Sequence, residues 1–347
     1  MLQKQKIPAS FSIIRRGGTT ILVRAGYKET ILNIVFDTKP VHERYADTPN
    51  IKSGRGSYVS VPVTENRGER LIIRDYRHGG LFGKLLGGIF CNKSRPFNEI
   101  SLHEYASQKG VLSAEVIAVT KRRVWGLFYK ANFITKEISG AVDIAQFLKE
   151  SSLLYIRKSK KSIISALARS IRNMHDAGIY HADLHIKNIL LKNDSHDEFT
   201  VYIIDLDKSV ISPIFPINKR IKNLLRLDRS LEKIRWLTDK DAKKNRNNSF
   251  SKLHSEGGID NMKQGFSDKS YPCNALISQY VAGEKIKEVS LDQKIKLISK
   301  TDRVRFLKMY LRYNNTLDRD WKAYIRQYQS HHSLHKLWWQ VLGLSGK

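Results

Sequence analysis

Cysteine is almost missing from this chain. Cys91 and Cys273 stand far apart, with no Cys-x-x-Cys and no Cys/His spacing. That pattern argues against a disulfide framework or a zinc site and makes a reducing compartment the expectation. Long apolar runs are missing too: none approaches the ~20 residues that cross a bilayer as a helix. The short apolar segment near the N-terminus is interrupted by Arg15 and Arg16, a poor pattern for a signal peptide. Acidic residues are scarce, 33 against 61 Lys plus Arg, for a formal charge of +28. Such a surface seeks polyanions, whether nucleic acid, an acidic leaflet or a phosphorylated substrate. Disorder is excluded, because apolar residues make up 41% of the chain and recur with clear periods.

With 347 residues the chain is long enough for one large bilobed domain or two ordinary ones. Residues 54–76 read as strand, turn, strand: "GRGSYVSVPVT" alternates, "ENRGE" turns, "RLIIRDY" is β-rich. "SRPFNEISLHEYASQKG" has Pro at its start, helical apolar spacing and a Gly exit, the signature of a helix. "AEVIAVTKRRVWGLFYKANF" reads as two strands joined by a basic turn. "AVDIAQFLKE" and "KKSIISALARSIRNMHDAGI" read as helices, the second closing at Gly178. "FTVYIIDLDKSV" reads as a buried strand with acids at its exit, and "NKRIKNLLRLDRSLEK" as a helix. The order implies an α+β chain, sheet-rich first and mostly helical later. A polar stretch at about 237–272 reads as a loop or insertion.

The chemistry concentrates in "YHADLHIKNILL", residues 180–191, followed by "IIDLD". Phosphoryl transfer needs a carboxylate to receive the proton of the attacking hydroxyl. It also needs an amide oxygen and a second carboxylate to hold Mg²⁺ against nucleotide phosphates. Asp183 and Asn188 have the kinase separation of base and amide, and Asp205 follows a hydrophobic strand as the metal carboxylate does. Asp183 is therefore the candidate base, with Asn188 and Asp205 as candidate Mg²⁺ ligands. A single Asp or Asn more often caps a turn; the whole constellation argues against that reading here. Gly54 and Gly56 precede a strand, where backbone can lie over ATP phosphates. Ile72 and Arg74 share one face of the next strand, suited to packing on adenine and gripping the α/β phosphates. Arg stands where Lys is usual, keeping the charge but changing the geometry. Glu99 on the following helix is the natural partner of Arg74, with Glu104 as the alternative. His181 reads as a structural anchor, whereas His185 and Lys187 are candidates to touch the transferring phosphoryl group.

"LIIRDYRHGGLFGKLL", "SRPFNEISLHEYASQKGV", "YHADLHIKNILL" and "YIIDLDKS" together resemble the lipopolysaccharide kinase family, nearest to its 3-deoxy-D-manno-octulosonic acid (Kdo) kinases. The resemblance covers about residues 50–235. Its Arg-x-Tyr-Arg-x-Gly-Gly run, Arg74 to Gly80, is more specific than the general kinase parts, and the family carries Arg in place of Lys. The resemblance implies a bilobed protein-kinase-like fold: an extension with strands at 1–49, a β-rich N-lobe with one main helix at 50–138, and a mostly helical C-lobe at 139–347. It implies ATP- and Mg²⁺-dependent phosphorylation of Kdo attached to lipid A, with the protein peripheral on the cytoplasmic face of the bacterial inner membrane. The polar insertion and longer tail depart from a compact Kdo kinase and leave heptose open as the acceptor.

Other readings fit less well. Ala182 precedes Asp183 where phosphorylation-regulated protein kinases carry Arg, and no Ala-Pro-Glu follows Asp205. Aminoglycoside kinases share the His at position 185, but a charge of +28 repels a cationic drug. A nucleic-acid-binding protein would explain the charge but not the kinase parts, and no nucleic-acid-reading module is present; no specific nucleic-acid partner is expected. An inactive scaffold is disfavoured because Asp183, Asn188 and Asp205 are all intact. Two segments suit either an anionic membrane surface or packing onto their own lobe. One mixes Arg74, Arg77, His78 and Lys84 with Leu81, Phe82, Leu85 and Leu86; the other places Leu334, Leu337, Trp338 and Val341 on one helical stripe beside Lys336.

Overall fold

The computed structural model describes residues 7–37, 52–53, 56–63, 68–76, 89–90, 95–195, 198–213, 215–234, 291–313, 316–317, 322–328 and 330. The polar stretch at 237–272, both cysteines, Gly54, the run at 77–88 and the C-terminal stripe lie outside these residues.

The first part is one antiparallel sheet. Its strands are β1 (Phe11–Arg16), β2 (Thr19–Arg24), β3 (Lys52–Ser53), β4 (Gly56–Pro62), β5 (Arg70–Asp75), β6 (Val116–Trp125) and β7 (Phe128–Lys136). Seven strands stand in the order β1-β2-β6-β7-β5-β4-β3. The β1–β2 hairpin, set apart from this lobe in the sequence reading, is hydrogen-bonded into it through β6. Helix α1 (Lys28–Phe36) was not anticipated. It lays Ile31 and Ile34 over Ile21, Val23, Leu71, Ile73, Ile117 and Ile134 on one face of the sheet. Helix α2 (Arg95–Gln108) covers the other face, where Ile100 packs with Leu22, Val119, Tyr129 and Phe133. Both faces are therefore dry along β2, where the consecutive Ile21, Leu22 and Val23 are all buried.

The turn between β6 and β7 differs from expectation. Lys121, Arg122 and Arg123 belong to β6, and Trp125 pairs directly with Phe128. Gly126 takes φ +50°, the first position of a two-residue hairpin that a β-carbon would strain.

The second part begins with β8 (Ala141–Asp143), α3 (Ile144–Glu150) and α4 (Leu153–Asp176). Residues 141–143, expected as helix, pair instead with a later strand, and Asp143 caps α3 by accepting from the Gln146 N–H at 2.9 Å. Helix α4 starts earlier than expected, with Ser152 accepting from the Tyr155 N–H at 3.2 Å. It ends as expected at Gly178, φ +76°. A β-carbon there would meet the Ser212 carbonyl oxygen at 2.5 Å, so only glycine fits. Then follow β9 (Ile179–Tyr180), a 3-10 turn (Ile186–Asn188), β10 (Ile189–Ser195), β11 (Glu198–Ile203) and β12 (Val210–Ile211). Strands β11, β10 and β8 form one small sheet, β9 and β12 another. Helices α5 (217–234), α6 (Leu291–Lys296), α7 (Lys300–Leu311) and α8 (322–328) complete the described chain, with a short β13–β14 pair (Arg312–Tyr313, Thr316–Leu317) after α7. Their core gathers Ile156, Ile171, Met174, Ile189, Leu206, Ile221 and Tyr310, each apolar side chain contributing roughly 1.5–3 kcal/mol on full burial. The architecture is protein-kinase-like: a sheet lobe followed by a mainly helical one. Helix α2 ties the two, since Tyr105 Oη donates to the Ala177 carbonyl at 2.9 Å and the Ile203 N–H to the Leu112 carbonyl at 2.9 Å.

Candidate active site

The loop from His181 to Asn188 is held by its backbone. The Asn223 side chain on α5 clasps His181, accepting from its N–H at 3.1 Å and donating to its carbonyl at 2.8 Å. The His181 ring Nε2 meets the Ile204 carbonyl at 3.0 Å, and its Nδ1 accepts from the Asp183 N–H at 3.1 Å. Those partners require the neutral Nε2–H tautomer. Burial supplies it, pushing the ring below its ordinary value despite the Ile204 carbonyl and the nearby carboxylates. Ser209 and Ser230 hydroxyls accept from the Ala182 and Ile186 N–H groups, each at 3.1 Å. His181 is thus the anchor the sequence implied.

This pinned backbone presents an open carboxylate. The Asp183 side chain is 70% exposed, with His185 Nε2 3.6 Å away. His185 Nδ1 accepts from the Lys187 N–H at 3.2 Å, so in the neutral ring the Nε2–H faces Asp183. Lys187 is exposed. Asn188 is buried; its Nδ2 donates to the Asp183 carbonyl at 3.0 Å. That leaves Oδ1 as its available acceptor. Its carbonyl accepts from the Ile204 N–H at 2.9 Å, which fixes the Asp183–Asn188 loop directly against the residue before Asp205.

Asp205 itself adopts φ +61° and Lys208 φ +59°, left-handed positions that aspartate tolerates better than most residues. The Asp205 carboxylate accepts from Arg74 Nη1 at 2.6 Å, while Arg74 Nη2 reaches Glu99 at 2.8 Å. One guanidinium therefore ties β5, α2 and the segment after β11. The Arg74 plane also lies over Phe133, 5.5 Å from its centroid. Burial alone would raise Asp205, but the charge and hydrogen bond of Arg74, with His181 and His185, hold it below its ordinary value. Burial pushes Glu99 up to about 7, with Asp207 and Asp205 adding to it and Arg74 and the Tyr76 hydroxyl opposing. Ile72 is half-buried on the same face as Arg74, opposite the core residues Leu71 and Ile73. Gly56 opens β4, whose Tyr58 pairs with Arg74.

Glu104, the alternative partner, faces elsewhere: it pairs with Arg24 and accepts from Ser10 Oγ at 2.9 Å. Sequence reasoning missed several supports. Tyr76 donates to Glu99. Arg95, at the start of α2, donates through Nε to Asp207 at 3.0 Å and lies over Tyr76 and Phe90. Asn223 was missed as well, although an amide inside the apolar run of "IKNLLRL" signals a buried polar clasp. Among the described residues no helix is long and apolar enough to cross a membrane, and no group of three or more His, Cys, Asp or Glu side chains could hold a metal.

Known proteins share this arrangement of sequence. The chain is 34% identical over 185 residues to the 3-deoxy-D-manno-octulosonic acid kinase of Vibrio cholerae serotype O1, covering 52% of this chain and 72% of that protein. It is 30% identical over 186 residues to the enzyme of the same name from Haemophilus influenzae, covering 52% and 73%. A solved structure titled "WaaP in complex with acyl carrier protein" matches with a TM-score of 0.46 and 16% identity, over 90% of this chain and 98% of that one. Residues 51–246, more than half of the chain, match a family described as Lipopolysaccharide kinase (Kdo/WaaP) family. The chain therefore belongs to the lipopolysaccharide kinase (Kdo/WaaP) family and is a phosphotransferase with the ATP use that a kinase implies.

Proposed function

We propose that this protein transfers the γ-phosphoryl group of ATP to a hydroxyl of Kdo attached to lipid A, on an anionic membrane surface. The observation that carries the reading is the convergence at Arg74. Its two nitrogens join Glu99 and Asp205, and the Asp183–Asn188 loop is hydrogen-bonded to the residue beside Asp205. The relatives named Kdo kinases in two organisms support the acceptor.

The roles follow from the chemistry of the groups. Asp183, open to solvent yet backbone-pinned, receives the proton of the acceptor hydroxyl as its oxygen bonds the γ-phosphorus and ADP leaves. Asn188 Oδ1 and the Asp205 carboxylate are hard oxygen donors of the kind magnesium prefers. When bound, the ion neutralises charge on the phosphate oxygens. Arg74, held by Glu99, offers a planar fork to the α/β phosphates. Ile72 packs on adenine, and the backbone at Gly56 covers the phosphates. His185 lies 3.6 Å from Asp183, and it and the exposed Lys187 stabilise the transferring group.

The test is mass spectrometry of Kdo–lipid A after incubation with the protein, ATP and Mg²⁺. A single added phosphate on Kdo is expected. Phosphate appearing only on a heptose-bearing core would move the acceptor, and no transfer to any inner-core sugar would reject the reading.

A further inference from the structure

The β6–β7 hairpin ends in an apolar tip that nothing in the kinase chemistry uses. Val124 is 49% exposed, Trp125 75%, Leu127 66% and Phe128 37%. Trp125 and Phe128 stack with ring planes 5° apart and centroids 6.0 Å apart, so the tip is an ordered feature. A ring of cations surrounds it. Arg122, Arg123 and Lys130 are exposed on the same hairpin. The β1–β2 turn lies alongside, because Thr19 pairs with Arg122 and the Arg123 N–H donates to the Gly18 carbonyl at 3.0 Å. Strand β1 reaches that turn with the exposed Arg15 and Arg16, the latter lying over the Phe36 ring at 5.1 Å. Among the described residues none of these five cations forms an ion pair with a carboxylate.

We infer that this hairpin tip is a membrane-docking element that inserts its apolar residues into an anionic leaflet while the five cations engage the headgroups. Four clustered apolar side chains on a hairpin tip leave water at a gain. Trp and Phe beside Arg and Lys suit the depth where acyl chains meet headgroups. The backbone of the tip is prepared for leaving water, since Arg123 Nε donates to the Gly126 carbonyl at 2.9 Å and Trp125 pairs with Phe128. Charge complementarity selects the occupant. A second copy would bring five cations against five, and a nucleic acid would satisfy the arginines but offer Val124 and Leu127 no apolar medium. Strand β7 runs five residues from Phe128 to Phe133, the register partner of Arg74. At the rise of a strand that sets the phosphate grip roughly 17 Å from the tip. The inference rests on the proposed lipid-linked acceptor for its purpose, but its physical case is independent of which sugar is phosphorylated.

The test is co-sedimentation of the full chain with vesicles of phosphatidylcholine, alone or mixed with phosphatidylglycerol. Wild-type protein is expected to bind only the anionic vesicles. W125S/L127S should lower that partition at least about tenfold. R122S/R123S should lower it about 25-fold, at roughly fivefold per cation near the surface. Both variants change exposed residues, so melting temperature and turnover on detergent-dispersed Kdo–lipid A should match wild type. The inference is overturned if either pair binds vesicles as wild type does, or if wild type ignores anionic vesicles. It is also overturned if the variants lose only duplex DNA affinity, which would make the tip a nucleic-acid surface. Vesicle binding through the tip without transfer to any inner-core sugar would reject the acceptor and leave the docking surface standing.

Discussion

Arg74→Lys keeps the charge and removes the fork, which makes it the sharpest test of the site. Arg74 makes one charge-assisted hydrogen bond to Glu99 at 2.8 Å and another to Asp205 at 2.6 Å, from different nitrogens, while its plane covers Phe133. A lysine ammonium is a point donor without that plane. Holding either carboxylate at full strength means weakening the other, a loss of about 1.5–3 kcal/mol for one charged hydrogen bond. If nucleotide phosphates share the same fork, that loss appears in kcat/KM for ATP as a drop of about 10- to 150-fold. The assay is steady-state ATP turnover with Mg²⁺ at saturating acceptor, alongside a urea melt. The fold should survive, since Lys remains long enough to pair with the buried Glu99. Wild-type kcat/KM in Arg74→Lys would refute the bidentate grip.

Asp183→Asn should abolish transfer while leaving nucleotide affinity intact and stability within about 0.5 kcal/mol, because that side chain is 70% exposed; measurable turnover near wild type removes Asp183 from the base role. Asp205→Asn retains a residue that tolerates the left-handed backbone at φ +61°. Calorimetry should nevertheless show ATP affinity that no longer depends on Mg²⁺, and a preserved metal dependence would contradict the ligand assignment. Because burial raises Glu99 from 4.5 to about 7, its contribution to stability is fully present below 4.5 and is lost as pH rises through about 7. The ionised form that grips Arg74 grows over the same window, so kcat/KM for ATP should climb through about pH 7. That limb should vanish in Glu99→Gln; an unchanged limb there assigns it to another group. Asn223→Ala strands the His181 N–H and the His175 ring nitrogen and leaves the His181 carbonyl only the long Arg226 Nη1 contact at 3.5 Å, so urea unfolding should show a loss of about 2–4 kcal/mol; a change below about 1 kcal/mol would mean the clasp is dispensable.

Local signals were readable wherever one residue type solves one backbone problem. Gly178 closing α4, Pro96 in the first turn of α2 and the alternation of β5 are of this kind, and the structure has each. The spacing of Asp183, Asn188 and Asp205 was readable for the same reason, since only a short loop and the β10–β11 hairpin separate them. Helix α1 was not, because its nine residues bury only Thr30, Ile31 and Ile34, too short a stripe to register as a period. Residues 141–143 became strand because β10 offered a hydrogen-bonding edge, a tertiary fact that local propensity does not contain.

By itself, then, the sequence determined the charge of the surface, the succession of a sheet-rich part and a mostly helical one, and the residue types able to move a phosphoryl group, all of which depend on neighbours along the chain. Only the tertiary structure chose Glu99 over Glu104, joined Arg95 to Asp207, closed Asn223 around His181, and left the Trp125 tip uncovered. Those outcomes depend on which side chains from distant segments meet and which polar groups lose water when they do, and that is decided when the sheet, α2 and α5 pack together.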